Sequence, residues 1–196
     1  MMRGCCKIAV FTLLGALAMV GRTEAGLIPT NVSITPDAGN FRWTYAVVVT
    51  TDVKVNPGDY FTIYDFDGLI GGSMVAPTKA WSMSTPMTGV TPAGTTPTDD
   101  PHIPNLTFTY NGPPINGQQG LGNFSAISTF GDAVSSNFTS ISHRQVDGRS
   151  EANITSTDVP VPGAVPQTTP EPATLGMLGI GLPVLGLLRL LRRRKK

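Results

Sequence analysis

From Phe41 to Val159 apolar and polar residues alternate with a period of two in one short run after another, the pattern of strands with one packed face and one wet face. Phe41 to Val55 (FRWTYAVVVTTDVKV) is dense in aromatic and β-branched residues, which suit a pleated sheet. Asn56-Pro57-Gly58-Asp59 stops that run, because proline fixes φ and removes a ladder donor while glycine permits a sharp reversal. Tyr60 to Tyr64 resumes it, with Phe61 and Ile63 on one face and Tyr60, Thr62 and Tyr64 on the other. Asp67-Gly68 reads as a hairpin turn. Ala80 to Met83, Asn105 to Tyr110, Asn123 to Phe130, Asn137 to Ser142 and Asn153 to Val159 supply further strands. Pro86 to Pro104 is crowded with turn formers and has little to bury, which predicts the longest surface loop or lid of the domain. About eight short strands with turns between them and no helical period predict an all-β domain: a single antiparallel β-sandwich, with jelly-roll topology compatible with the same pattern.

The two ends follow other patterns. Arg3 and Lys7 precede an apolar stretch from Ile8 to Val20, which is followed by small and polar residues up to Ala25. This is the layout of a secretory signal peptide cut after Ala25, and the stretch is too short for a comfortable membrane span. Cys5 and Cys6 precede the apolar stretch and leave with it. They are the only cysteines of the chain, so the exported part holds no disulfide and no thiol nucleophile. At the other end Pro160 to Pro172 (PVPGAVPQTTPEP) predicts an extended stalk. Thr174 to Leu191 is apolar apart from Arg189; as a helix rising about 1.5 Å per residue it reaches roughly 27 Å, about one hydrocarbon core. Arg189 near one end can snorkel to the headgroups. Arg192, Arg193, Arg194, Lys195 and Lys196 hold that end on the cytoplasmic side. The organisation read here is therefore signal peptide 1–25, β-sandwich domain 26–159, stalk 160–172, and transmembrane helix with basic tail 173–196.

Charge changes the picture once it is assigned to segments. Gly26 to Thr169 carries 11 acidic and 5 basic side chains, a formal charge of −6, because 9 of the 14 cations sit in the terminal segments. A nucleic-acid partner needs clustered cations and is excluded. Candidate chemistry in the domain is thin. His102 and His143 lie far apart in polar surroundings and read as solvated surface residues; no Gly-x-Ser-x-Gly elbow accompanies them, and no cysteine or histidine pair offers a zinc site. No cofactor is expected. Asp65 and Asp67, with Asp59 upstream and Gly68 behind, are weak candidates for calcium if alternate strand positions aim both carboxylates to one side. An Asp-Gly turn explains the same letters. Asp99-Asp100-Pro101 reads as a turn, and Gly117 to Gly122 lacks the context of a dinucleotide site. Five Asn-x-Ser/Thr triplets begin at Asn31, Asn105, Asn123, Asn137 and Asn153. Trp43, Tyr45, Tyr60, Tyr64 and Trp81 either line a sugar-stacking face or form core and cross-strand pairs.

Pro170, Glu171 and Pro172, the Gly-rich apolar stretch and the terminal arginine cluster stand together in that order. This arrangement resembles the PEP-CTERM sorting signal of bacterial envelope proteins. With the stretches from Pro57 to Phe66, Pro104 to Tyr110 and Phe124 to Ser128, the chain is similar to the small secreted proteins of that family. The resemblance implies signal peptidase and an exosortase as processing partners, passage through the inner membrane, and surroundings rich in exopolysaccharide or biofilm matrix. The expected function is a non-enzymatic structural or interaction protein of the envelope or extracellular matrix. It would be anchored first by its C-terminal helix and then sorted to the surface. A carbohydrate-binding module and a secreted hydrolase are the alternatives.

Overall fold

A computed structural model describes residues 26–163 of the chain. The signal peptide with its cut after Ala25, the Pro170-Glu171-Pro172 triplet, the apolar span and the basic cluster Arg192 to Lys196 lie outside these residues. Among the described residues ten strands follow one another: β1 Leu27–Asp37, β2 Asn40–Val49, β3 Val53–Val55, β4 Tyr60–Ile63, β5 Trp81–Ser84, β6 Leu106–Tyr110, β7 Ile115–Asn116, β8 Gln119–Ser128, β9 Asp132–Arg144 and β10 Ser150–Val161. All pairings are antiparallel. Among the described residues there is no helix, and so none long and apolar enough to cross a membrane.

The strands make a three-stranded sheet, β1-β2-β8, and a seven-stranded one. In the larger sheet β9 gives one edge to β10 along its whole length. Its other edge is shared end to end by β4, opposite Phe138–Ser140, and β3, opposite His143 and Arg144. Beyond β4 come β6 and β5, and beyond β3 comes β7.

Alternation along β2 shows what packs the sheets together. Trp43, Tyr45, Val47 and Val49 are buried while Arg42, Thr44, Ala46 and Val48 are partly exposed. The buried set meets Phe61, Ile63, Leu106, Phe108 and Phe138 of the larger sheet in one core. Phe61 sits at its centre: its ring stacks on Phe108 at 5.0 Å and Phe138 at 5.3 Å, and meets Phe124 edge-on at 4.8 Å. Each such side chain contributes about 1.5–3 kcal/mol by leaving water, so the domain is held by packing.

Three elements depart from the sequence reading. The run Phe41 to Val55 breaks at Thr50–Asp52, where Val53 N–H closes a turn on Thr50 O (3.3 Å) and the chain changes sheets. No glycine or proline marks that turn. β1 has no counterpart in the reading, because its Pro29, Asn31, Ser33 and Pro36 argue against a strand. As the edge of the small sheet it pairs only with β2, and a bulge between Pro29 and Asn31 absorbs the first proline. β10 also runs through Pro160 and Val161, two residues into the stretch read as stalk.

Candidate functional site

The most elaborate polar arrangement lies on the outer face of β6, β4 and β9. Cross-strand pairing sets Thr107, Thr62 and Thr139 side by side in one row. All three are buried, although the residues between them along each strand already point into the core. They are covered by residues 85–105, which return across the sheet as a strap between β5 and β6. Tyr64, fully buried just past β4, donates to Val90 O at 3.0 Å and lies 3.3 Å from the Thr139 hydroxyl. Thr62 and Thr107 share a hydrogen bond of 3.0 Å. Gly89 closes over the Tyr64 ring so tightly that a Cβ there would stand 2.3 Å from Tyr64 Cε1; only glycine allows this approach.

A clasp locks the strap. Asn105 is fully buried; its Oδ1 accepts Asp65 N–H at 2.8 Å, and its Nδ2 donates to Asp99 Oδ1 at 2.9 Å. The second oxygen of Asp99 accepts Gly89 N–H at 2.8 Å. Asp65 receives Asp100 N–H at 2.8 Å on one oxygen and the Ser136 hydroxyl at 3.2 Å on the other. Backbone bonds from Phe66 to Pro104 O and from Asn105 to Pro86 O, both 2.9 Å, tie the two ends of the strap to its root.

This geometry corrects the reading of Asp65 and Asp67 as neighbours on one side of a strand. β4 ends at Ile63, and Asp65 takes the left-handed region at φ 57°, so alternation does not extend to Asp67. The Asp65 carboxylate anchors the strap, whereas Asp67 Oδ1 accepts Gly68 N–H at 2.6 Å. No group of three His, Cys, Asp or Glu side chains among the described residues is placed to hold a metal ion. The Asp67-Gly68 turn is present but joins no hairpin. It carries the chain to the small sheet, where Leu69 bridges to Ser128 and Val75 to Ser125.

His143 is likewise different from a solvated surface residue. Its Nδ1 lies 3.0 Å from Asp59 Oδ2, and the Asp59 side chain is only 3% exposed. The same carboxylate oxygen accepts Asn56 N–H at 2.7 Å and so fixes the β3–β4 turn. A carboxylate immediately before β4 and a histidine near the end of β9 carry no shared sequence signal; only the pairing of β9 with β3 brings them together. His102 stays exposed on the strap.

Four of the five aromatic residues resolve in favour of packing, while Tyr60 at the start of β4 is partly exposed. Trp43, Tyr45 and Tyr64 are fully buried and Trp81 is 6% exposed, which removes them as a stacking platform for sugars. Burial, with the Asp158 carboxylate as a lesser cause, pushes the Tyr45 hydroxyl well above its ordinary range. Burial and then Tyr64 also raise Tyr60. Of the five triplets, Asn105 is bound in the clasp, Asn153 donates to Leu27 O at 3.3 Å and Asn137 to Thr98 O at 3.3 Å. Asn31 and Asn123 are exposed and flank Ala46 on the outer face of the small sheet.

An all-β domain built from antiparallel sheets is thus followed by a terminal segment of different character. Residues 168–195 match the family model of the PEP-CTERM protein-sorting motif. The match takes in Pro170, Glu171 and Pro172 as well as Arg192, Arg193, Arg194 and Lys195. Carrying this motif implies an exported protein that is anchored at the membrane and processed by an exosortase. No curated protein matches the chain. Among solved structures, the cohesin module from the family 33 glycoside hydrolase of Clostridium perfringens ATCC13124 is similar at a TM-score of 0.40 and 13% identity, over 70% of this chain and 97% of that one.

Proposed function

We propose that this chain is a non-enzymatic surface or matrix protein whose β domain is displayed outside the membrane and acts by interaction. The observation that carries the reading is the sorting motif at 168–195, which follows the last strand, ending at Val161, within a few residues. The domain supports it: the carboxylates and amide that cluster at Asp65, Asp99 and Asn105 hold the strap in place. An exopolysaccharide-rich matrix is the proposed setting, and signal peptidase acting after Ala25 is the proposed first processing step.

Removal of the tail is the test. A plain anchor needs only apolar length and the cytoplasmic cations. A sorting protease must in addition find an exposed, non-helical segment at the membrane surface, and two prolines around Glu171 resist helix continuation. In an exosortase-containing host the mature wild-type protein is expected to lack the segment from about Ala173 onward, while replacing Pro170, Glu171 and Pro172 by alanine leaves the longer membrane-bound form. Intact mass spectrometry reads both. A C-terminus at Lys196 for wild type and variant alike makes the segment an anchor without sorting.

A further inference from the structure

β1 and β10 run parallel along the side where the two sheets meet. Leu27 lies against Ser140 and Asn153, and Pro29–Val32 lie opposite Ser156–Asp158. Each strand has a single partner, β2 for β1 and β9 for β10. Side chains alone cross the seam: Asn153 Nδ2 reaches Leu27 O at 3.3 Å, and the Tyr45 hydroxyl reaches Asp158 O at 3.0 Å. Between these strands opens a cleft of about 350 Å³. Thr157 lines it at 6% exposure, and its hydroxyl has no hydrogen-bond partner among the described residues. Apolar cover also stops short here. Ile34 and Val134 are 36% and 48% exposed, although they share their faces with the fully buried Trp43 and Val159 opposite them.

We propose that this seam takes up an extended segment of a partner protein as an added strand. Two strand edges present backbone donors and acceptors at a pitch of about 3.3 Å, which another extended backbone matches group for group. Alternate apolar side chains of the incoming segment would cover Ile34 and Val134. Charge selects its flanks. β1 and β10 hold Asp37, Glu151 and Asp158 and no cation; Asp37 and Glu151 are engaged by Arg42 and Arg144, which leaves Asp158 at the cleft with Asp132 exposed at the start of β9. The segment therefore carries lysine or arginine beside its apolar alternation. This surface deepens the interaction reading of the domain, and it can fail while tail processing stands.

The probe is a synthetic nonapeptide of alternating valine and threonine with lysine at both ends, added to the purified full-length chain in detergent micelles. Saturable binding is expected, with hydrogen exchange slowed at least tenfold at Val32–Thr35 and Ser156–Asp158. Val134→Lys and Ile34→Lys change exposed positions, so the fold persists, and each should weaken binding at least tenfold. A scrambled peptide without the alternation and a glutamate-flanked one should bind at least tenfold more weakly. Absence of binding, equal binding of the control peptides, or protection elsewhere overturns the proposal. So does protection of the same amides without peptide, whether it rises with protein concentration, as for a second copy, or disappears when residues 164–172 are removed, as for the chain's own stalk.

Discussion

The two faces of β4, β6 and β9 are both buried, yet they are held by different physics. Inward, Phe61, Phe108 and Phe138 pack ring against ring. Outward, Thr62, Thr107 and Thr139 lie under a strap that is fixed by hydroxyl, amide and carboxylate bonds. The first face is non-directional, and each ring is stabilised in proportion to the apolar area it hides. The second depends on partners in fixed positions, and a single lost partner leaves a buried group unsatisfied. Damage to the inner face should therefore lower the stability of the whole domain, whereas damage to the outer face should first release the strap.

Phe61→Ala gives the largest expected effect, because it removes the ring that touches Phe108, Phe124, Phe138 and Trp81. A loss of about 3–5 kcal/mol is expected in urea unfolding monitored by tryptophan fluorescence. Asn105→Ala strips partners from Asp99 and from the Asp65 amide. It should cost about 1–3 kcal/mol and speed hydrogen exchange across the strap while β2 and β8 stay protected. Equal acceleration in both places would end the distinction between the faces. Tyr64→Phe removes only the hydroxyl bonded to Val90 O and Thr139, and about 1 kcal/mol is expected.

At Tyr45 the comparison is read as a pH dependence. Its hydroxyl titrates higher in the folded chain than the unfolded value of about 10. Below that value both states are protonated and the stability is fully present. As pH rises beyond it, the unfolded chain loses the proton first, so stability falls toward the folded-state value. Tyr45→Phe should flatten the decline in urea midpoint above about pH 10; an unchanged slope assigns the decline to other groups, such as Tyr60.

Alternation made β4, β6, β8, β9 and β10 legible, since Phe61-Thr62-Ile63 or Leu106-Thr107-Phe108 can pack one face only in a strand. The same letters conceal the strap. A threonine on the solvent side of a half-exposed strand and one covered by a polar loop are identical in sequence, and residues 85–105 show no apolar stripe because they are held through Asp99, Asn105 and Gly89. β1 was hidden for a related reason: an edge strand tolerates prolines and polar residues that count against a central one. The Asp59–His143 pair and the Asp65 anchor were illegible because each joins segments far apart in the chain, at 84 and 71 residues' separation respectively. The sorting motif, by contrast, is a local arrangement of triplet, apolar run and cations, and it was readable in full.

Hydrogen exchange on the native chain tests the central claim that the outer face is a closed polar interface. The amides of Gly89, Phe66 and Asn105, which donate to Asp99, Pro104 O and Pro86 O, should exchange within about tenfold of the β4 and β9 amides, as expected when strap and sheet open together. Exchange of these three within seconds at neutral pH, with β4 and β9 still protected, would show a strap that opens freely and would contradict the account.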